Sequence, residues 1–128
     1  EKDQEYPNSP SGMPGVQTLV PIMLNHINNG KLTLNRFVQL TSSNPSRLFG
    51  IKNKGFIKIG NDADFTVLDM KKENVIENTW INSKCGWTPY DGMKVKGWPI
   101  MTIIRGNMVM REGEVDQEPS GRPMNFKR

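Results

Sequence analysis

From Val16 onward the apolar positions keep a helical rhythm. Val16, Leu19, Val20, Met23, Leu24 and Ile27 recur at spacings of three and four, which places them on one face of a helix. Thr18 suits the N-cap, and Pro21 then falls in the first turn, where a missing N–H costs little. Asn28, Asn29 and Gly30 supply the stop, with Gly30 at C′. A second helix is predicted from about Thr33 to Leu40, with Leu34, Phe37 and Val38 on one face. At Asn44-Pro45 the chain restarts, since Asn suits an N-cap and Pro the first helical position. Ser46 to Phe49 then form a short helix ended by Gly50.

After Lys54 the period changes to two. Phe56, Ile57 and Ile59 read as a strand before a Gly60-Asn61 turn, Phe65 to Leu68 as a second, and Asn74 to Ile76 as a third. Residues 80–98 read as irregular, anchored by Trp80, Trp87 and Pro89. Met101 to Arg105 forms a strand, Gly106-Asn107 a turn, Met108 to Met110 the return, and Glu112-Gly113 a further turn into Val115. Residues 1–15, rich in Pro and Gly, form a loop, and 117–128 a tail. Helices first and strands afterwards argue for parts of two bodies joined near Lys52 to Gly55.

Composition changes this picture only at its edges. The 128 residues are 35% apolar and 23% charged, with 12 glycines and 9 prolines, so a core is expected but a thin one. The net charge is +4, yet Lys and Arg are scattered, the tight pairs being Lys71-Lys72 and Lys127-Arg128. No alternation of aromatic and basic residues suggests nucleic acid. A lone cysteine, Cys85, excludes an internal disulfide framework and fits a reducing cytoplasm. No apolar run spans a membrane.

Candidate chemistry is sparse. A metal site needs several converging ligands, and His26 is the one histidine. It reads as a surface or helix-end residue. Cys85 is a nucleophile only beside a base, so a buried structural thiol is the expectation. Asp62 and Asp64 face one way if extended, which suits a hard cation or acid–base work, but after a Gly-Asn turn they read first as turn caps. Ser11, Gly12 and Gly15 precede a helix and form a plausible cradle for a carboxylate or oxyanion. No Gly-Lys-Ser/Thr follows, so this is not a P-loop.

Four segments together resemble the cyclic-amidohydrolase branch of the amidohydrolase superfamily. Pro10-Ser11-Gly12-Met13-Pro14-Gly15-Val16-Gln17-Thr18 looks like the loop after the last barrel strand. Thr41-Ser42-Ser43-Asn44-Pro45-Ser46-Arg47-Leu48-Phe49-Gly50 is similar to a helix signature T-x-N-P-A-R-x-F-G, with Ser46 in place of its alanine. Lys54-Gly55-Phe56-Ile57 through Asp62-Ala63-Asp64 is similar to K-G-x-I-x-x-G-x-D-A-D. Ser83-Lys84-Cys85-Gly86-Trp87-Thr88-Pro89 narrows the resemblance to the dihydroorotase family.

That resemblance implies an α+β fragment: the last helices of a (β/α)8 TIM-type barrel, in residues 1–52, plus C-terminal strands of a small β-sandwich and a tail, in 53–128. It implies zinc-dependent hydrolysis of dihydroorotate to N-carbamoyl-aspartate in pyrimidine synthesis. The zinc ligands and the catalytic aspartate are expected upstream, so no catalytic residue and no metal ligand is assigned among these residues. Ser11 and Gly12 are the expected substrate-binding positions, through main-chain atoms. Asp62, Asp64 and Cys85 fall in segments to which the family assigns no catalytic role. The implied partners are the small-molecule substrate, the rest of the same polypeptide and a second copy in a homo-oligomer, with neither nucleic acid nor membrane. Two alternatives stay open: an allantoinase- or hydantoinase-type enzyme, and a non-catalytic homologue partnering a transcarbamoylase.

Overall fold

The computed structural model describes residues 2–116, 118 and 121–126. Glu1, Gln117 at the head of the expected tail, and the pair Lys127-Arg128 lie outside them. Helix α1 (Leu19–Asn28) buries Pro21 and Leu24. Thr18 stands at its N-cap but with helical φ and ψ, and its hydroxyl donates to the Gly15 carbonyl at 3.3 Å instead of accepting from the helix.

Helix α2 (Leu34–Val38) is capped by Thr33, whose Oγ1 accepts from the Arg36 N–H at 3.1 Å. The expected restart at Asn44 does not occur. The helix widens into a π turn, Gln39–Ser43, and runs directly into α3 (Asn44–Leu48). Asn44 is helical (φ −70, ψ −47), and its N–H reaches back five residues to the Gln39 carbonyl. Pro45 gives the reason. In a regular helix its ring meets the carbonyl four residues back, and a wide turn relieves that clash without ending the helix.

The sheet is antiparallel, ordered β1-β2-β3-β4. Four sequence expectations are corrected there. Phe56 to Ile59 joins no sheet, and Ile57 and Ile59 are 90% and 101% exposed. A strand needs a neighbour to take its main-chain hydrogen bonds, and none runs beside this segment among the described residues. The two short strands at 65–68 and 74–76 are one long strand, β1 (Phe65–Val75). Strand β2 (Lys94–Ile104) begins well before Met101, inside the stretch expected to be irregular, with Gly97 and Pro99 at its register shifts. The turn into β3 (Asn107–Arg111) is Arg105-Gly106, with φ of 48° and 81°, as a two-residue hairpin requires. Glu112-Gly113 makes the expected turn into β4 (Glu114–Val115).

The larger bulge organises the molecule. Asp69 pairs with Trp98 and Glu73 with Lys96, so residues 70–72 stand opposite Gly97 alone. Asp69 Oδ1 accepts from the Lys71 and Lys72 N–H groups at 2.8 and 3.1 Å. Helix α1 lies across this spot. A Cβ on Gly97 (φ +100) would stand 2.6 Å from the Leu24 Cβ, so only glycine admits the helix this closely. The Asn28 amide donates to the carbonyls of Leu24, Met70 and Lys96 at 3.1, 3.1 and 2.9 Å, and Asn25 Oδ1 accepts from Lys96 N at 3.2 Å. Main-chain groups left unpaired by the bulge are thereby satisfied.

Ile76, Val95 and Trp98 form the buried core, with Ile22, Trp80, Tyr90 and Met93 packed around them. The Trp80 and Trp98 rings lie 4.7 Å apart, tilted by 47°. The chain near its end returns to the helices: Phe126 bridges Ile51, and the Lys52 N–H donates to the Asn125 carbonyl at 2.8 Å, where the sequence reads only a tail. Among the described residues no helix is long and apolar enough to cross a membrane.

Candidate functional site

Residues 10–18 leave the N-terminal loop and turn into α1. Lys2 Nζ donates to the Pro10 carbonyl, and the Leu19 N–H to the Gly15 carbonyl at 3.0 Å. Between these ties Ser11 and Gly12 are exposed. Gly12 holds φ +86 with nothing within 4 Å of where a Cβ would be, so its main chain presents an open face. Beyond it, Met13 to Thr18 form one wall of a shallow cleft of about 180 Å³, and Ile81, Ser83 and Cys85 form the other. The cleft thus begins immediately after the two positions expected to touch substrate, and it joins two segments far apart in sequence.

Gln17 joins these walls. Its Nε2 donates to the Trp80 carbonyl at 2.7 Å, and its Oε1 accepts from the Asn82 N–H at 2.9 Å. Sequence reasoning missed this residue. A polar side chain just ahead of a helix gives no local sign that its partners lie more than sixty positions away.

Cys85 corrects an expectation. It is exposed, not buried, because it rides on the 83–86 turn, closed by Gly86 N–H to Ser83 O at 3.0 Å, and not in the core. Its Sγ lies 3.3 Å from the Ser83 hydroxyl. That hydroxyl, followed by main-chain groups of Trp87, Cys85 and Gly86, holds the thiol below its ordinary range. Thr88, behind this turn, is buried, and its N–H donates to Asn78 Oδ1 at 2.8 Å.

The other polar candidates stand apart from the cleft residues. His26, in the last turn of α1, is half-buried, and its Nδ1 is buried with no hydrogen-bond partner. Asp62 and Asp64 converge on Lys54: its Nζ is 2.9 Å from Asp62 Oδ2 and also pairs with Asp64 Oδ2. Asp64 Oδ1 accepts from the Arg105 N–H at 2.8 Å, tying the β2–β3 turn to this cluster. Partial burial tends to raise the Asp64 pKa, but Lys54 and the Arg105 N–H outweigh it and hold the carboxyl below its usual range. Hydrogen bonds to Asp64, then Asp62, raise Lys54 in turn. With an ammonium already seated between them, the two carboxylates are arranged as a brace and not as a cation site. Among the described residues no group of three or more His, Cys, Asp or Glu side chains converges.

Comparison with known proteins follows this geometry. The chain is 50% identical to a dihydroorotase of Pyrococcus furiosus over 111 residues, 87% of this chain and 27% of that protein. It is 43% identical to a dihydroorotase of Methanosphaera stadtmanae over 117 residues, 90% of this chain and again 27% of the relative. The chain therefore spans about a quarter of the length of the curated relatives it matches. Among solved structures it superposes on an L-hydantoinase (dihydropyrimidinase) of Arthrobacter aurescens with a TM-score of 0.82 and 36% identity, covering 86% of this chain and 25% of that one. The sequence pattern of the amidohydrolase family matches residues 12–109. The chain belongs to the amidohydrolase family.

Proposed function

We propose that these residues are the C-terminal part of a dihydroorotase, which hydrolyses dihydroorotate to N-carbamoyl-aspartate in pyrimidine synthesis in the cytoplasm. The observation that carries the reading is 50% identity over 87% of the chain to a dihydroorotase. In this reading residues 1–52 finish a (β/α)8 barrel, and 53–128 contribute strands and tail to a β-sandwich. The exposed Ile57 and Ile59 suit such an arrangement, since apolar side chains of this size are ordinarily covered by further protein. The assembly is a homo-oligomer.

Ser11 and Gly12 are the substrate-binding positions. Main-chain N–H groups on an open loop hold the carboxylate or imide oxygens of the ring through charge-assisted hydrogen bonds. Zinc is the cofactor of this reading, and bound zinc supplies an activated water for attack on an amide. The side chains of this chain do not fit a zinc site, because no three donors converge among the described residues. The ligands and the proton-transferring carboxylate are assigned to the remainder of the longer polypeptide, and no step of hydrolysis to side chains here.

A hydantoinase-type activity is the second reading, favoured by the 0.82 TM-score to the Arthrobacter enzyme. The whole enzyme carrying these residues, assayed on dihydroorotate, hydantoin and allantoin, separates the two. A kcat/KM for dihydroorotate at least about 100-fold above the others is expected, because a site built around a ring carboxylate rejects rings lacking it. Faster hydrolysis of hydantoin or allantoin overturns the first reading. No turnover of any ring by metal-replete enzyme points to a non-catalytic partner of a transcarbamoylase.

A further inference from the structure

We infer that Gln17 is a positioning residue that holds the substrate loop closed against the 80–85 segment, an inference that rests on the cyclic-amide reading above. The loop needs an external tie. Ser11 and Gly12 are exposed, Gly12 holds a left-handed φ of +86, and nothing lies within 4 Å of where its Cβ would stand. Its ties are the Lys2 ammonium on the Pro10 carbonyl, and two bonds from Leu19 and Thr18 to the Gly15 carbonyl, all within the same stretch of chain. Gln17 reaches outside that stretch, and it does so with both ends of its amide.

The geometry is that of a peptide group. Nε2 gives to the Trp80 carbonyl at 2.7 Å while Oε1 takes from the Asn82 N–H at 2.9 Å, so one side chain imitates a rung of sheet between two segments that form none. The far segment is itself anchored. Trp80 stacks on Trp98 of the core, and the Trp80 N–H bonds to Glu77 O at 3.0 Å. The clamp therefore refers the loop to the residues packed on the buried core. It also sets the width of the cleft, whose walls are the residues flanking Gln17 on one side and Ile81, Ser83 and Cys85 on the other. A ligand held by main-chain atoms of a loop binds more weakly when it must also order that loop. A loop fixed in advance spares the ligand this cost, so Gln17 acts on binding and not on the chemical step.

The test uses the whole enzyme with Gln17→Met, which keeps length and removes both hydrogen bonds. Gln17→Glu is the second variant: it keeps the acceptor for Asn82 N–H and sets a carboxylate against the Trp80 carbonyl. Three readouts are taken: steady-state kinetics on the ring substrate, the rate at which a chromogenic disulfide modifies Cys85, and the melting temperature. Gln17→Met is expected to raise KM about tenfold with kcat within about twofold. Cys85 is already exposed, so its rate reports the order of the segment that Gln17 ties through Asn82: it is expected to change several-fold in Gln17→Met and by less in Gln17→Glu, which keeps the Asn82 bond. Unchanged KM and unchanged Cys85 reactivity in either folded variant overturn the inference. So does a loss of kcat and KM performance in step with melting temperature, which marks Gln17 as merely structural. If the wild type hydrolyses no cyclic amide, the functional reading fails on its own, and the Cys85 rates still decide whether Gln17 closes the cleft.

Discussion

Gly12 and Gly97 share a left-handed backbone, with φ of +86 and +100, and have opposite surroundings. Gly97 is crowded, since an added Cβ falls 2.6 Å from the Leu24 Cβ and 3.2 Å from the Asn28 amide nitrogen. Gly12 is open, with nothing within 4 Å. One glycine is required so that a helix can lie on a bulged sheet. The other leaves a main chain bare to solvent beside a cleft. The same residue type in the same conformation thus serves packing in one place and access in the other. Only the neighbours distinguish them.

The sharpest way to break this contrast is Gly97→Ala in the whole enzyme. Backbone strain and overpacking against α1 each cost about 1–3 kcal/mol, so a loss of about 3 kcal/mol or more is expected, read as a lower urea midpoint. A loss under about 1 kcal/mol means that α1 slides away freely, and the seam is not the constraint described. Gly12→Val comes next. Its side chain meets no neighbour, so only the strain of a β-branched residue at φ +86 remains, about 1–3 kcal/mol without the overpacking that Gly97→Ala adds. KM rises about tenfold, because the valine covers the main chain that the ring must reach. An unchanged KM with a lowered melting temperature reverses the assignment of Gly12.

The smallest effect belongs to the brace at Lys54, Asp62 and Asp64, which is packed like Gly97 yet partly open to water. The Asp64 carboxyl sits below its ordinary range, so its contribution is present above the usual carboxylate pKa of about 3.9 and disappears as pH falls through the lowered value. Lys54 behaves oppositely, being raised: its contribution is lost only as pH climbs through that raised value. With a third of the Asp64 side chain exposed, screening keeps the effect to about 1 kcal/mol or less. Asp64→Asn keeps an acceptor for the Arg105 N–H. The stability gap between it and wild type at pH 7 is expected to close as the solution is acidified below pH 4. A gap independent of pH shows that the ion pair contributes nothing.

Much of the helical part was legible because its signals are local. The Gly30 stop of α1, the start of α2 at Thr33 and the Glu112-Gly113 turn follow from residues within a few positions of one another, whereas of the expected apolar face of α1 Leu24 is buried but Val16 and Leu19 are 97% and 50% exposed. The first part of β2 was hidden within residues 80–98 because a glycine at a bulge looks, along the chain, the same as a glycine in a loop. Phe56 to Ile59 misled for the reverse reason: it has the alternation of a strand, but a strand also needs a neighbour. At the cleft, the Pro and Gly of residues 10–15 announced an open loop, while Ser11 and Gly12 are proposed as substrate contacts on family resemblance alone. Gln17 and Asn28 were silent, since each works through carbonyls and N–H groups far away in sequence. Cys85 was misjudged because free cysteines are usually interior, whereas this one rides on a surface turn.

The π turn at Gln39–Ser43 absorbs one extra residue within a single turn. Its closing bond, from the Asn44 N–H to the Gln39 carbonyl, spans five residues where a regular helix spans four, so removing one residue here would restore a regular spiral and leave α3 on nearly the same bearing. Ser46, whose hydroxyl donates to the Ile51 and Lys54 carbonyls at 3.2 and 2.8 Å, would still face Gly55, and Arg47 would still face the ring of Phe56. What such a deletion would bring back is the clash of the Pro45 ring with the carbonyl four residues behind it, so the extra residue is the means by which a proline is carried inside a continuous helix.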